Sequence, residues 1–466
     1  MKAAAGLLWL LVSLANLLAA KERVDLLVEG GLVVTMDSGR RILLDGAIAV
    51  RGDRILDIGS SQEMAQKYQA RQSLSARGKI VLPGLVNAHN HAAMVLFRGA
   101  ADDLKLSDWL DKYIFPLEAK YVTKDFVRWG TALACLEMIR SGTTTYADMY
   151  YFEQEVADVT ARAGMRGVLG ETVIDSATPD SKTAAEALLY TELFLRRFKS
   201  SPLIVPAVAP HAPYTNSAET LKACKQLADR YSVPMMIHVS ETEDETIGIR
   251  KKYGMTPTGW LESLGVLGPN VLFHHGVWLS EEDLALVRKY GVSVSHNPES
   301  NMKLAAGTAP VVRMLALGIP VGLGTDGAAS NNNLDMFEAM DFAAKLHKLI
   351  ERDPTVLPAP QVLEMATLGG ARALGLLRDI GSLEKGKKAD FILIETNEAH
   401  LQPLYNVYSQ LVYDIKGSDV RSSVIDGKIV MREGKVLTLD EREILGKVNQ
   451  YRAAIGKGLP WTGSGE

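Results

Sequence analysis

Short apolar runs alternate with amphipathic stretches through the middle of the chain, from about residue 81 to residue 376. Short apolar runs are typical of buried parallel strands, and a 3.6-residue apolar period is typical of the helices that cover them. Eight predicted strands predict an α/β fold of the (β/α)₈ TIM-barrel type. The predicted strands are 81–91, 143–149, 165–174, 203–211, 233–238, 271–277, 292–296 and 319–326, and the predicted helices include 124–140, 184–198, 218–231, 281–290 and 309–317.

The two ends of the chain have a different pattern, with short strand-like runs separated by turn signals. Such runs occur at 24–35 and 47–58, and again at 389–394 and 424–430, where Asp426-Gly427 is a hairpin signal. We therefore expect a small β-sandwich domain formed from both chain ends. The predicted division is a signal peptide at 1–20, sandwich segments at 21–80 and 377–440, the catalytic barrel at 81–376 and a helical tail at 441–466.

The first twenty residues resemble a secretory signal. Lys2 precedes an apolar run at 3–18, and Ala19-Ala20 then precedes the charged residues at 21–23. This pattern predicts cleavage near Lys21 and export to the periplasm or the medium. The run is short for a membrane span, so we expect no stable span after signal removal. The alternatives are a membrane anchor and a cytoplasmic protein with a misassigned start.

The composition excludes some classes of partner and of metal site. The formal net charge is -4 and no basic block occurs, which argues against a nucleic-acid polymer as a partner. Cys135 and Cys224 are the two cysteines and lie far apart, which indicates neither a disulfide framework nor a thiolate metal site. We expect a small-molecule substrate, a homo-oligomer, and a metal held by nitrogen and oxygen.

Histidine and aspartate close several of the predicted strands. His89 and His91 end the first strand, where residues i and i+2 share a face and can point at one ion. Groups at the ends of different parallel strands are how a barrel builds its site. Later strands end in the same way, at His211, His238, His275 and Asp326.

Three imidazoles and one carboxylate, on His89, His91, His238 and Asp326, form a nitrogen and oxygen set suited to Zn²⁺ or Fe²⁺. Such an ion lowers the pKa of a bound water toward about 7, which makes hydroxide available at neutral pH.

Glu241, three residues beyond His238, is the expected proton shuttle, and the alternative is a solvated carboxylate beside the acidic run 243–245. His275 is expected to hydrogen-bond the water, and Asp326 to accept its proton. His274 is expected to face the opposite side of its strand.

Eight stretches together resemble the amidohydrolase superfamily, in the branch of methylthioadenosine/S-adenosylhomocysteine deaminases and triazine hydrolases. The similarity extends from about residue 24 to residue 438. The matching stretches are 83–91, 108–110 with 116–118, 209–214, 238–242, 275–277, 295–304 and 324–332.

The resemblance implies one divalent ion per chain, on the four ligands named above, with Glu241 and His275 in catalysis. It also implies that His211, at the position where binuclear members carry a bridging lysine, contacts the nucleoside together with Glu118, and that Trp109 packs near the base or ribose. A carboxylate such as Glu118 can accept both hydroxyls of a ribose diol. The alternatives are a helix-face aromatic for Trp109 and a salt-bridged acid for Glu118.

Glu171 departs from the pattern, because a homocysteine-binding relative can present an arginine there. A carboxylate at that position would repel the homocysteine carboxylate, which favours methylthioadenosine or adenosine over S-adenosylhomocysteine. A metal ligand for a second ion is the alternative role of Glu171.

The leading hypothesis is an aminohydrolase that cleaves the C–N bond of a cyclic amidine, deaminating an adenine nucleoside to its inosine analogue and ammonia. An alternative of the same chemistry is a hydrolase of chloro- or amino-substituted triazines or other N-heterocycles. A catalytically silent binding protein is the alternative from another class.

Overall fold

A computed structural model describes residues 21–457 and 459. The predicted signal peptide, 1–20, lies outside the described residues. Across the described range, no helix combines the length and the apolar character that crossing a bilayer requires.

The first part of the chain forms one half of a mixed sheet, which we call the terminal sheet. Strand β1 pairs antiparallel with β2 and parallel with β4 and β5, and β3 extends the sheet beyond β2. The strands are β1 Glu22–Val34, β2 Ile42–Arg51, β3 Arg54–Ser60, β4 Tyr68–Ser75 and β5 Lys79–Pro83.

Eight parallel strands then form the barrel, each paired with the next along the chain. The ring is nearly closed between its last and first strands, where the Ala88 N–H donates to the Leu323 carbonyl at 2.8 Å. The predicted fold class is confirmed. The strands are β6 Leu85–Asn87, β7 Thr143–Tyr150, β8 Arg166–Val173, β9 Ile204–Pro210, β10 Met235–Val239, β11 Val271–His275, β12 Ser293–His296 and β13 Val321–Leu323.

The prediction of one strand over 81–91 was wrong, because the run divides at Gly84 between β5 of the terminal sheet and β6 of the barrel. A Cβ on Gly84 would lie 2.0 Å from Thr144 Oγ1, so only glycine allows this close approach. His89 and His91 follow the end of β6. Strand alternation therefore does not explain why both imidazoles point into the site.

The last part of the chain completes the terminal sheet, in which β14 lies between β5 and β15. A buried ion pair joins this sheet to the barrel, with Arg166 Nε 2.8 Å from Asp390 Oδ2. The strands are β14 Phe391–Glu395, β15 Val420–Ile425, β16 Lys428–Arg432 and β17 Lys435–Val436.

Four predicted helices have the expected bounds, and each begins at a Ser or Thr whose side chain accepts an N–H from the first turn. The fifth, predicted over 309–317, is shorter because it begins after Pro310. The α-helices are α1 Ser61–Lys67, α2 Leu106–Trp109, α3 Phe115–Tyr121, α4 Lys124–Arg140, α5 Glu153–Ala163, α6 Ala184–Phe198, α7 Ala218–Tyr231, α8 Glu243–Tyr253, α9 Pro257–Ser263, α10 Glu281–Tyr290, α11 Pro298–Lys303, α12 Val311–Ala316, α13 Met336–Glu351, α14 Ala359–Glu364, α15 Gly370–Ala373, α16 Val407–Ser409 and α17 Glu441–Gly456.

Candidate active site

The histidines and the aspartate predicted at the strand ends meet at the carboxyl end of the barrel. Asp326 Oδ1 lies 3.3 Å from His89 Nε2 and 3.3 Å from His91 Nε2. His238 Nε2 lies 3.4 Å from His91 Nε2. The four side chains thus direct one atom each toward a common point, as ligands of a single ion would.

Backbone carbonyls orient two of these imidazoles. His91 Nδ1 lies 2.6 Å from the Met149 oxygen, and His238 Nδ1 lies 2.7 Å from the His211 oxygen. A carbonyl can only accept, so each Nδ1 carries the hydrogen and each Nε2 keeps its lone pair. Metal-binding histidines are usually held in this way.

The protonation states also fit a divalent ion. Burial lowers the pKa of His89 to about 3, and burial lowers the pKa of His91 and of His238. Burial alone would raise the pKa of Asp326, but the close contacts of its carboxylate with His89, His91 and His275 keep it well below its usual range. Neutral imidazoles and an ionised carboxylate are the forms that bind metal.

The ring nitrogens of His89 give further support for a bound metal. Both ring nitrogens of His89 are buried without a hydrogen-bond partner in the described chain. Such an orphan costs free energy unless a group outside the protein satisfies it. His89 also belongs to both groups of side chains that converge closely enough to hold an ion, one with His91 and Asp326 and one with His238 and His275.

Asp326 presents its two oxygens to different neighbours. Its backbone adopts a left-handed conformation, with φ of 63°. Oδ2 accepts hydrogen bonds from Ser300 Oγ at 2.6 Å and Ser330 Oγ at 3.0 Å, which leaves Oδ1 facing the imidazoles.

Glu241 lies in the same cavity and is buried, which contradicts the alternative of a solvated loop carboxylate. Its Oε1 is 3.7 Å from His275 Nε2. Glu245, from the acidic run 243–245, fixes the backbone here by accepting the N–H groups of Ser240 at 3.0 Å and Glu241 at 2.9 Å. Burial raises the pKa of the Glu241 carboxyl, which suits a group that accepts a proton and returns it.

The predicted substrate residues Trp109, Glu118 and His211 line the cavity beside the metal-binding group. Trp109 is buried, and its Nε1–H donates to the Ala101 carbonyl at 3.1 Å. Burial lowers the pKa of His211 to about 3, so its imidazole is neutral.

Glu118 is bound by a tyrosine rather than by a cation. Tyr150 donates its hydroxyl to Glu118 Oε1 at 2.7 Å. Burial raises the pKa of Glu118 to about 7, although the hydroxyls of Tyr150 and Tyr151 oppose that shift. The Glu118 carboxylate, which forms no salt bridge within the described residues, can therefore accept hydrogen bonds from a neutral ligand.

Glu171 is not brought to the cavity. Its neighbour Thr172 lines the cavity, and successive residues of a strand face opposite sides. Glu171 Oε2 instead accepts the Glu153 N–H at 3.0 Å behind the strand. The like-charge repulsion expected between Glu171 and a homocysteine carboxylate thus has no geometric basis.

The sequence analysis did not place two residues, Tyr150 and His274, in the site. Tyr150 closes β7, so the strand-end signal that identified the histidines applies to it as well. His274 was expected to face away, but its ring stacks on that of His89 with 3.8 Å between centroids. The alternation fails there because His275 adopts a left-handed conformation, with φ of 70°.

Comparisons with known proteins agree with this geometry. A model of the amidohydrolase family matches residues 80–430. The chain is 50% identical to a 5-methylthioadenosine/S-adenosylhomocysteine deaminase of Syntrophobacter fumaroxidans, over 93% of this chain and 99% of the relative. It is 45% identical to a 5'-deoxyadenosine deaminase of Methanosarcina mazei, over 90% and 96%. A zinc-bound adenosine deaminase from Xanthomonas campestris, 36% identical, superimposes with a TM-score of 0.92 over 94% of this chain and 100% of that one.

Proposed function

This chain belongs to the amidohydrolase family, and from that premise we propose that it is a metal-dependent hydrolytic deaminase of adenine nucleosides. The supporting observation is that Glu241 and Glu118 line the same cavity as the converging metal ligands. That cavity therefore offers a proton carrier and an acceptor for ribose hydroxyls. We propose one ion per chain, because a neutral His211 occupies the position at which the family resemblance places the bridging lysine of binuclear members. We propose Zn²⁺ in preference to Fe²⁺ because the 36% identical adenosine deaminase has zinc bound.

The reaction forms a C–O bond at the purine carbon that bears the amine and breaks the C–N bond there. A divalent ion in this site would supply the Lewis acidity that activates water near neutral pH. Glu241 accepts one proton of the attacking water and delivers it to the ring nitrogen. The proton of the new hydroxyl group is then transferred to the amine, which leaves as ammonia as the C=O bond forms. The buried carboxyl can serve both transfers because its pKa is raised.

His275 and Asp326 orient the attacking water. His275 Nε2 lies 3.7 Å from Glu241 Oε1 and 3.9 Å from Asp326 Oδ2. A water between these groups can donate to His275 and to a carboxylate at once. Such a water keeps a lone pair that is free to attack the ring carbon.

The test is a substrate survey with the chain from residue 21 to residue 466. We would measure bound metal and ammonia release from adenosine, 5'-deoxyadenosine, methylthioadenosine, S-adenosylhomocysteine, guanine, cytosine and melamine. The proposal expects one ion per chain and the highest kcat/KM on an adenine nucleoside. Preference for melamine would support the triazine alternative, and full metal without turnover would support a binding protein. Light scattering on the same sample tests the predicted homo-oligomer.

Glu118→Gln should weaken the recognition of ribose and leave recognition of the base intact. Hydrogen bonds to charged groups contribute about 1.5–3 kcal/mol, so KM for adenosine should rise roughly 10- to 150-fold. The matched control is 2',3'-dideoxyadenosine, which lacks the diol and should lose little on the same substitution. An equal loss on both nucleosides would contradict the assignment of Glu118 to the diol.

The same carboxyl predicts a pH dependence of KM. The pKa of Glu118 is raised by burial to about 7, so the fraction that is ionised and accepts both hydroxyls falls as the pH drops below that value. KM for adenosine should therefore increase between pH 7 and pH 5 in the unmodified enzyme. In Glu118→Gln this part of the profile should be flat.

We further propose that residues 1–20 direct export and are removed near Lys21. A fusion of residues 1–30 to a reporter that is active only outside the cytoplasm should be exported and shortened. Leu10→Arg, which interrupts the apolar run, is the matched control and should keep the reporter inside. An uncleaved, cytoplasmic fusion would support the cytoplasmic alternative instead.

A further inference from the structure

Helix α11 presents two consecutive side chains to the reacting groups, Ser300 to Asp326 and Asn301 to His275. We infer that Asn301 is a positioning residue that selects which ring nitrogen of His275 carries the hydrogen. This inference rests on the proposed function, in which the free nitrogen of His275 accepts a hydrogen bond from the attacking water.

The contact between the two side chains is short and buried. Asn301 Oδ1 lies 2.8 Å from His275 Nδ1, and each residue is 1% exposed. An amide oxygen can only accept, so Nδ1 must carry the hydrogen of the neutral ring. Nε2, on the reacting side, is then left with its lone pair.

Without this contact, the surroundings favour the opposite tautomer. The groups nearest to Nε2 are carboxylate oxygens, Glu241 Oε1 at 3.7 Å and Asp326 Oδ2 at 3.9 Å. Glu241 attracts a hydrogen on Nε2, whereas the charge of Asp326 is offset by the metal that it would ligate. A ring that carries its hydrogen on Nε2 can no longer accept a hydrogen bond from water. The amide of Asn301 therefore opposes the attraction of Glu241.

Several contacts hold Asn301 where it can do this. Ser300, its neighbour, donates to Asp326 Oδ2 at 2.6 Å. Lys303, at the end of the same helix, hydrogen-bonds Asp102 and Asn332. The Asn301 N–H also donates to the Asn297 carbonyl at 3.1 Å. The backbone that carries Asn301 is thus fixed at both ends of the helix.

The experiment compares Asn301→Leu with Asn301→Asp in the zinc-loaded enzyme. Leucine has a similar shape and no acceptor, so kcat for adenosine should fall about 10²–10⁴-fold, as with other losses of a tautomer-fixing partner, while KM and zinc content stay near wild type. Aspartate retains the acceptor oxygen, so kcat should recover to within about tenfold of wild type. ¹⁵N-histidine NMR should show the Nδ1–H tautomer of His275 in the wild type and in Asn301→Asp, and the Nε2–H tautomer in Asn301→Leu.

Asn333→Leu is the matched control, because it removes a half-buried amide in the loop after Asp326 that contacts Glu299 and Glu338 instead of His275. It should change neither kcat nor the His275 signals. A wild-type tautomer in Asn301→Leu, or equal failure of the leucine and aspartate variants, would overturn the inference. The NMR measurement reports the tautomer of His275 whether or not the enzyme deaminates adenosine. A failure of the proposed function can therefore be distinguished from a failure of the inference about Asn301.

Discussion

Glu241→Gln is expected to retain the metal and lose roughly 10²–10⁴-fold in kcat, because glutamine preserves the shape of the side chain but cannot carry a proton. Glu241 would serve two successive transfers, so its loss should affect kcat far more than KM. The measurements are metal content and steady-state ammonia release from adenosine. Binding of a nucleoside should persist, since Glu118, His211 and Trp109 remain.

The matched control is Glu243→Gln, two residues further on. Glu243 is exposed and Glu241 is buried, so the same substitution alters a side chain in solvent in one variant and a side chain in the cavity in the other. Glu243→Gln should behave as wild type. A Glu241→Gln enzyme within a few-fold of wild type would assign the proton transfers to another group, with His275 the nearest candidate at 3.7 Å.

His89→Ala is expected to abolish both metal binding and activity. His89 takes part in both groups of converging ligands, so its removal leaves neither complete. Loss of a mere outer partner of a ligand typically weakens metal binding about 10- to 100-fold, and loss of a ligand should exceed that. Metal content and kcat should therefore fall together.

The melting temperature tests metal binding independently of enzymatic activity. A metal that binds only the folded chain stabilises it, so added zinc should raise the Tm of the metal-free wild type and leave that of His89→Ala unchanged. His400→Ala is the control, because that half-exposed histidine pairs with Asp419 and belongs to neither group of converging metal ligands. Two tightly bound ions per active chain would contradict the single-ion site.

Local patterns in the sequence determined the architecture. Apolar runs and Ser or Thr caps are properties of adjacent residues, so β7 to β13 and helices such as α4 and α6 could be predicted from them. Because all carboxyl ends of a parallel barrel meet at one face, strand ends also predicted that His238, His275 and Asp326 would lie together. The motifs identified the family for the same reason, since they are contiguous stretches.

Only the tertiary structure decided where individual side chains point. Gly84 divides one apolar run between two sheets because Thr144 leaves no room for a Cβ, and that neighbour is sixty residues away in the chain. Glu171 faces away from the cavity, since its strand presents Thr172 there. The hydrogen-bond partners of two cavity side chains, Tyr150 for Glu118 and Asn301 for His275, come from other elements. Hydrogen bonds between residues distant in sequence exist only once the barrel has brought its strand ends together, so no local pattern encodes them.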